Sequence, residues 1–302
     1  MSKILLIGSI NMDLVVVATR RAHPGETIFG EQFHIIPGGK GANQAVAAAR
    51  LGADVHLVGA VGNDQLGKQA FTNLQAEGVN TNHIQVLSDV STGTAHITVA
   101  EGDNTIIVVP AANEKVSPNQ VDSVRSLIQD SDIVLLQLEI PIETIEYIVD
   151  LCTEFHVPVI LNPAPAQKLP LALLEKVTYL TPNEHEVKIL FPHETIEQLL
   201  KRYPKKLLVT EGVEGVRYDD GENLIHVPAV KVKATDTTGA GDTFNGALAV
   251  GLSRGMELKE AICFANLAAG ISVTKLGAQG GMPTLEQLHQ LQGEINEKSW
   301  ND

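Results

Sequence analysis

Seven residues, Asp236–Asp242, combine two glycines with a terminal carboxylate directly before an apolar, helix-like run. A glycine-rich turn that leads into a helix leaves backbone N–H groups unpaired at the positive end of the helix dipole. Such a turn binds anions, most often phosphate groups. Because a carboxylate beside a bound anion is unfavourable unless it takes part in chemistry, we interpret Asp242 as a base that receives a proton during phosphate transfer. No Lys or Arg lies between Thr235 and Ser253, so the backbone amides of the loop Gly239–Gly241 must stabilise the anion.

A second glycine-rich stretch, Pro37–Ala45, leads into an alanine-rich, helix-like segment. Three glycines within four positions let the backbone approach a ligand closely. The stretch is not a P-loop, because Gly41 follows Lys40 where a Ser or Thr is required, and Gln44 replaces the last glycine of the dinucleotide fingerprint. The amide of Asn43, in the first helical turn, suits a polyhydroxylated ligand. A purely structural loop-to-helix turn is the alternative.

Three more polar residues follow predicted strands. Asn11 and Asp13 are two positions apart, so in an extended segment their side chains share a face. An amide beside a carboxylate can bind vicinal hydroxyl groups, and an Asx turn is the alternative. Glu139 ends an apolar run, at the carboxyl edge where open α/β sheets bind ligands. Taken alone, Glu139 fits a surface residue nearly as well.

Two segments in the second half of the chain suit a nucleotide. Asn183 and Glu186 are three positions apart and share a face if the segment is helical. An amide and an acid there could order magnesium-bound water near a triphosphate, and a helix-capping motif is the alternative. The segment Thr210–Gly215 leaves a strand with two glycines, which suits packing of backbone against a flat base or a ribose.

Strand-like and helix-like segments alternate along most of the chain. Apolar runs typical of buried parallel strands are Ile4–Ile7, Val55–Val58, Ile133–Leu138, Val157–Leu161 and Leu207–Val209. Helix-period segments are Ala42–Leu51, Leu66–Ala76, Val121–Ile128 and Thr144–Cys152. This alternation predicts a three-layer, doubly wound α/β fold with a mainly parallel sheet flanked by helices.

Two β-rich stretches interrupt the alternation. Asp13–Val17 and Glu26–Ile36 form the first, and Thr94–Val99 and Thr105–Val109 form the second. Turn residues separate the strands within each pair, so each stretch is interpreted as a hairpin. A small sheet near a ligand site usually serves as a lid or as a dimer surface. Ordinary edge strands of the main sheet are the alternative.

Composition and charge narrow the class of protein. The chain has 302 residues, a formal net charge of −14 and a pI near 5.1, which excludes partners that need a basic surface, such as nucleic acids and anionic membranes. The first residues predict a strand rather than a signal peptide, and no apolar run is long enough to span a membrane. We therefore expect a cytoplasmic enzyme. The ten histidines show no metal-ligand spacing.

The motifs together resemble those of the ribokinase-like family of sugar kinases. The resemblance runs from Ile7–Asp13 to Lys275–Gln279, and the two glycine-rich stretches match the family's two signatures in order and separation. It implies a single domain over residues 1–302, with a β lid formed from about residues 10–37 and 93–110. It also implies a homodimer that forms through the lid sheets.

The resemblance also implies roles for individual residues. Asp242 would be the catalytic base, with an anion hole at Gly239, Ala240 and Gly241. The sugar would be held by Asn11, Asp13, Gly39, Lys40, Gly41, Asn43, Glu139 and Asp242. ATP would contact Asn183, Glu186, Thr210, Gly212, Gly215, Gly241 and Asn266, and Glu186 would help to organise Mg²⁺. A K⁺ ion would be bound, mostly through backbone oxygens, by Asp236, Thr238, Ser272, Lys275, Gly277 and Gly281.

The activity implied by the resemblance is ATP-dependent phosphorylation of D-ribose at its O5 hydroxyl. Another pentose, a nucleoside or a ketohexose is an alternative substrate within the same class. A nucleoside would require an aromatic or apolar pocket for its base, and aromatic residues make up only 4% of the chain. A non-catalytic sugar-binding regulator is the alternative from another class. It has no use for a base beside an anion hole.

Overall fold

The computed structural model describes residues 2–298, and it contains three β-sheets with helices packed around the largest. The strands are β1 Lys3–Ile7, β2 Asn11–Val17, β3 Gln32–Gly38, β4 Asp54–Gly62, β5 Asn80–Leu87, β6 Gly93–Ala100, β7 Asp103–Val109, β8 Ile133–Leu136, β9 Val159–Leu161, β10 Tyr179–Leu180, β11 Val209–Thr210, β12 Val216–Asp219 and β13 Leu224–Val227. The helices are α1 Lys40–Arg50, α2 Gln65–Ala76, α3 Pro118–Asp122, α4 Arg125–Gln129, α5 Ile142–Phe155, α6 Leu171–Lys176, α7 Glu184–Leu190, α8 Ile196–Arg202, α9 Ala240–Ser253, α10 Leu258–Ser272 and α11 Leu285–Lys298. Short 3-10 helices cover Ala111–Lys115 and Gly212–Glu214.

The central sheet has six parallel strands in the order β10-β9-β8-β1-β4-β5. The position of β1 between two layers of helices explains why its sequence is apolar at consecutive positions. Ile4 and Leu6 pack into the core shared with α1, α9 and α10, whereas Leu5 and Ile7 pack into the core on the other face. Helices on both faces bury both sets of side chains, as the sequence predicts. Among the described residues, no helix is both long and apolar enough to cross a bilayer.

The two β-rich stretches form one separate sheet of four strands, in the order β3-β2-β6-β7. Strands β2 and β6 pair in parallel, with Asn11 opposite Gly93, and this pairing joins the two hairpins. The predicted small additional sheet is therefore confirmed. We call this four-stranded sheet the lid. Its first hairpin is shorter than predicted, because β3 begins at Gln32, and Glu26 instead accepts hydrogen bonds from Arg20 and from the N–H of His23.

Two other predicted elements differ in the structure. The predicted helix over Val121–Ile128 is divided into α3 and α4, and the hydroxyl of Ser123 donates to the carbonyl of Gln120 at 2.6 Å where the first helix ends. A side chain that bonds to nearby backbone competes with the helix. The segment predicted as a strand over Leu207–Val209 borders the central sheet, because Leu207 forms a parallel bridge with Leu180 of β10 and the N–H of Leu208 donates to the carbonyl of Leu180 at 2.9 Å. Its regular strand, β11, is short and also pairs antiparallel with β12, so this segment joins the central sheet to the sheet of β11, β12 and β13.

Close packing of α1 against α9 brings the two glycine-rich motifs together. At Gly246 on α9, a Cβ atom would lie 2.7 Å from the carbonyl oxygen of Gln44 and 2.8 Å from the Cβ of Ala47. A side chain at this position would therefore force the helices apart. The glycine on α9 and the small residues of α1 let Asp242, in the first turn of α9, lie beside Asn43 and Gln44.

Candidate active site

A cavity of about 760 Å³ lies between the lid and the carboxyl ends of the central strands. Open α/β sheets bind their ligands at this edge. Nine of the predicted site residues line the cavity: Asn11, Asp13, Gly39, Lys40, Asn43, Glu139, Thr238, Gly239 and Asp242. Apolar side chains from the lid and from the segment after β8 complete the wall: Ala95, Ile97, Ile106, Val108, Ile140 and Ile142. The cavity thus has polar groups at one end and an apolar cover.

Asp242 lies in the first turn of α9, where it is 7% exposed and borders the cavity. Two side-chain amides from α1 hold its carboxylate. The Nδ2 of Asn43 donates to Oδ2 at 2.9 Å, and the Nε2 of Gln44 donates to Oδ1 at 3.0 Å. The two glycine-rich motifs are therefore joined by direct hydrogen bonds, and the carboxylate has a fixed orientation.

The loop before α9 has the geometry of an anion site at two of its three positions. Gly239 adopts a φ of +78°, which favours glycine, and it is the N-cap residue of α9. A Cβ atom on Gly241 would meet nothing within 4 Å, so this backbone borders open space. The expectation of three free amides is wrong at Ala240, because its N–H donates to the carbonyl of Thr237 at 3.2 Å and closes the turn.

Asp13 is a strongly perturbed carboxyl group at the polar end of the cavity. Burial, together with the negative charges of Glu139 and Asp242, raises the pKa of Asp13 to about 6. Its carboxylate packs so closely against Gly38 that a Cβ atom there would lie 2.4 Å from Oδ1. Three carboxylates near one cavity repel each other. This arrangement costs stability and is typical of a binding or catalytic site.

Asn11 and Glu139 are fixed by neighbouring groups. The Oδ1 of Asn11 accepts from the Nδ2 of Asn113 at 2.7 Å, and Asn11 is 3% exposed. The Oε2 of Glu139 accepts from the hydroxyl of Ser9 and from the N–H of Lys40 at 3.0 Å. Glu139 therefore caps the start of α1. These contacts fix both side chains along the cavity wall, although they also use part of their hydrogen-bonding capacity.

Lys40 is the cation of the cavity. Burial opposes its charge, but Asp242, Glu139 and Glu186 outweigh burial and raise the pKa of Lys40. Its ammonium group therefore stays protonated, and its charge partly neutralises the charges of Asp242, Glu139 and Glu186. Gly41, one position further, does not line the cavity: it packs against Ser9, and its N–H donates to the Ser9 hydroxyl at 3.2 Å.

A second, shallower groove of about 380 Å³ lies over the start of α7 and is bordered by Asn183, Thr210 and Gly212. The capping motif that the sequence left open is present. The Oδ1 of Asn183 accepts from the N–H of Glu186 at 2.9 Å, and the Oε2 of Glu186 accepts from the N–H of Asn183 at 2.8 Å. Burial raises the pKa of Glu186, and the charge of Asp242 adds to this effect, whereas the N–H of Asn183 and the charge of Lys40 oppose it.

Gly215 and Asn266 do not border this groove, and both contact the segment after β13 instead. A Cβ atom on Gly215 would lie 2.1 Å from the carbonyl oxygen of Val227. The Nδ2 of Asn266 donates to the carbonyls of Val227 and Pro228 at 3.1 Å each. The structure therefore uses both residues to fix the backbone of this segment.

Direct contacts join several of the residues expected to bind K⁺. The carboxylate of Asp236 accepts from the N–H and the hydroxyl of Thr238 at 2.9 and 2.7 Å, and from the N–H of Gly277 at 2.8 Å. Burial opposes the charge of Asp236, but these hydrogen bonds outweigh burial and lower its pKa. Gly281 packs directly against the carbonyl of Ser272. Within residues 2–298, no cluster of three or more His, Cys, Asp or Glu residues could hold a metal.

The sequence motifs assign no chemical role to several amide side chains around the site. Gln44, Gln137, Asn162 and Gln279 are all buried and are linked to Asp242 directly or through one neighbour. Gln44 stands next to Asn43 in the sequence, and this adjacency could have indicated a shared task. The others lie in segments far apart in the sequence, so the fold alone brings them to the site.

Comparison with known proteins identifies the class. A family model described as pfkB family carbohydrate kinase matches residues 1–285. The chain therefore belongs to the pfkB family, and it is a carbohydrate kinase. The ribokinase of Bacillus subtilis is 50% identical over 291 residues, which cover 96% of this chain and 99% of the relative.

Solved structures agree with this assignment. The ribokinase of Thermotoga maritima superposes with a TM-score of 0.89 at 37% identity, over 97% of this chain and 100% of the other. The ribokinase of Arabidopsis thaliana, solved with ribose and ATP, gives a TM-score of 0.88 at 32% identity, over 96% and 99% of the two chains. These likenesses extend over the sheet, the helices and the lid.

Proposed function

We propose that this carbohydrate kinase transfers the γ-phosphoryl group of ATP to the O5 hydroxyl of D-ribose, giving D-ribose 5-phosphate and ADP. The observation that carries the proposal is the position of Asp242. Its carboxylate borders a polar cavity and stands in the first turn of a helix that begins with a glycine loop. Relatives at up to 50% identity are ribokinases, and the Arabidopsis relative binds ribose and ATP.

In this proposal the polar end of the cavity binds the sugar. The carboxylates of Asp13 and Glu139 accept hydrogen bonds from hydroxyl groups, and Asn11 and Asn43 supply amide groups that can donate or accept. Lys40 donates from its ammonium group, and Gly39 and Gly41 shape the backbone at the start of α1. The apolar lid residues cover the less polar faces of the sugar ring and exclude water.

The chemical step needs a base and an anion site. As O5 bonds to the γ-phosphorus, the bond from that phosphorus to the β,γ-bridging oxygen breaks, and the O5 proton passes to Asp242. Charge is spread over the oxygens in this loose transition state, so positioned donors supply most of the rate acceleration. The donors proposed here are the backbone N–H groups of Gly239 and Gly241, aided by the dipole of α9.

The groove over α7 is proposed as the nucleotide site. Asn183, Thr210 and Gly212 border it, while Gly215 and Asn266 fix the neighbouring backbone. Glu186 uses one carboxylate oxygen in the capping box, which leaves the other for magnesium-bound water. A Mg²⁺ ion carried with ATP would neutralise phosphate charge during transfer.

An ADP-release assay tests the proposed substrate. Ribose, 2-deoxyribose, fructose, adenosine and pseudouridine are compared by kcat/KM under identical conditions. A site built to bind a hydroxyl group strongly rejects an analogue that lacks it, so ribose should exceed every other substrate by about tenfold or more. Turnover of another compound at the level of ribose, or ADP release from none of them, would overturn the assignment.

We also propose a K⁺ site formed by Asp236, Thr238, Ser272, Lys275, Gly277 and Gly281. The carboxylate of Asp236 accepts hydrogen bonds from Thr238, directly before the anion loop, and from the N–H of Gly277, so a cation bound at Asp236 would order that loop. Activity should therefore rise several-fold with K⁺ and less with Na⁺ of equal ionic strength. Choline chloride serves as the control for ionic strength, and identical rates in all three salts would count against the site.

A homodimer through the lid is proposed from the outer lid face. The cross-strand partners Val16 and Phe33 are 38% and 59% exposed there, and Ile35 and Ile107 are 44% and 70% exposed on the same face. Exposed apolar patches of this kind mark interaction surfaces. A molar mass of two chains for the parent protein, falling to that of one chain in Ile107→Lys, would support the dimer. A monomeric parent protein would exclude it.

We also propose a cytoplasmic location, because the reaction uses ATP. Cell fractionation checks this location.

A further inference from the structure

Gln44 is fully buried at the base of the active site, and its amide reaches the proposed base. Its Nε2 donates to Oδ1 of Asp242 at 3.0 Å and to Oδ1 of Asn162 at 3.1 Å. Its Oε1 accepts from the Nε2 of Gln137 at 2.6 Å. Gln44 is 0% exposed and does not line the cavity. It can therefore influence the reaction only through Asp242.

The carboxylate of Asp242 fixes the direction of donors and acceptors along the hydrogen-bonded amides of Gln44 and Gln137. Asp242 accepts hydrogen bonds, so Gln44 must turn its NH₂ group toward it and its carbonyl toward Gln137. Gln137 must then direct its own NH₂ group toward Gln44. A reversed Gln44 would place its carbonyl oxygen against both Asp242 and Asn162, and buried acceptors without donors are costly. Only one arrangement of the three amides satisfies the charged carboxylate.

The environment of Gln137 indicates that this series of hydrogen-bonded amides serves a function. Its Oε1 is buried and, among the residues described, has no hydrogen-bond partner. A Cβ atom on Gly8 would lie 2.1 Å from this oxygen, so the glycine makes room for it. A buried unsatisfied carbonyl costs roughly 1–3 kcal/mol. An apolar residue at position 137 would avoid that cost but would leave Oε1 of Gln44 without a donor.

We propose that Gln44 is a positioning residue, which holds the carboxylate of Asp242 at the angle needed to receive the O5 proton, with Gln137 and Asn162 holding Gln44 in turn. The inference rests on the proposed function of Asp242 as base. Asn43 holds the other oxygen, at 2.9 Å, but it also lines the cavity. Gln44 is therefore the amide whose effect on positioning can be separated from sugar binding.

The test combines single and double variants in steady-state kinetics with ribose and ATP. Misplacement of a catalytic group by about 1 Å can cost about 10²-fold, so Gln44→Leu should lower kcat by roughly 30- to 100-fold while KM for ribose and Kd for ATP change by less than about threefold. In an Asp242→Asn background, Gln44→Leu should lower the residual rate by less than about threefold, because residues that act as one unit are not additive.

Gln120→Leu is the matched control. Gln120 is also a buried amide, 4% exposed, and donates to the carbonyls of Gly59 and His83 away from the cavity. The Gln120→Leu variant measures the stability lost with a buried amide. We expect its Tm to be lower and its kcat to stay near the parent value.

The outcomes separate the two claims. Normal turnover in Asp242→Asn would exclude Asp242 as the base, and it would therefore also exclude the positioning role of Gln44. The positioning role of Gln44 is wrong if Asp242→Asn is inactive but Gln44→Leu keeps the parent kcat. It is also wrong if Gln44→Leu lowers the rate by the same factor in the Asp242→Asn background as in the parent enzyme. In both cases Asp242 remains the proposed base. If Gln44→Leu does not fold, Gln137→Leu takes its place with the same expected split between kcat and KM.

Discussion

Asp242→Asn should lower kcat with ribose by about 10²- to 10⁴-fold, the range that a positioned acid–base group contributes, while Kd for ATP stays within about twofold. The asparagine has almost the shape of the aspartate but cannot take the O5 proton. The groove proposed for the nucleotide lies over α7, and Asp242 does not border it. Measuring kcat and ATP affinity separately therefore distinguishes loss of the base from loss of binding.

Two companion variants sharpen this result. Asp242→Glu keeps the charge but displaces the carboxylate from the amides of Asn43 and Gln44, so it should also lose most of kcat. Asp89→Asn changes an exposed aspartate that does not line the cavity and should leave every parameter unchanged. Near-normal turnover in Asp242→Asn would show that another group accepts the proton. An equal loss of ATP affinity would show that the loop before α9 is distorted.

Local sequence patterns were sufficient for the parts of the site that lie within one short segment. The loop and first turn over Asp236–Asp242 follow from glycine placement and from the apolar run behind it, and the structure has α9 beginning at Ala240. The parallel strands followed from apolar runs such as Ile4–Ile7, because burial on both faces leaves no room for polar alternation. The lid followed from turn residues between short β-rich runs.

The parts that the sequence did not predict depend on contacts between distant segments. Gln137 and Asn162 lie at the ends of two strands, and only the order of strands in the sheet brings them to Gln44. Likewise β11 pairs with β12 in a second sheet, and the apolar run over Leu207–Val209 does not reveal this additional partner. The N–H of Ala240 is used in a turn whose exact hydrogen bonding depends on Thr237. Spacing along the chain carries no information about such partners.

Asp13→Asn should weaken sugar binding and stabilise the free protein at the same time. A hydrogen bond to a charged group contributes about 1.5–3 kcal/mol, so KM for ribose should rise by about 10- to 100-fold. For the parent enzyme, the same role predicts that KM rises as the pH falls below about 6, where Asp13 becomes protonated. The variant should lack this acidic rise, and comparison of KM across pH 5 to 8 checks both expectations.

The stabilisation follows from the sign of the pKa shift. Burial, Glu139 and Asp242 raise the pKa of Asp13 to about 6, so the native state binds its proton more tightly than the unfolded chain does. Stability is therefore lost as the pH rises from about 4 to about 6, the full cost is present above that window, and none remains below it. Removing the charge should recover on the order of 2 kcal/mol at pH 7.5, or a Tm increase of roughly 3–6 °C. At pH 4 the gain should disappear, and Asp89→Asn should show no gain at either pH. An equal gain at both pH values would mean that the charge of Asp13 is not its cause, whereas a gain confined to neutral pH would show that the protein gives up stability to keep three carboxylates at its sugar site.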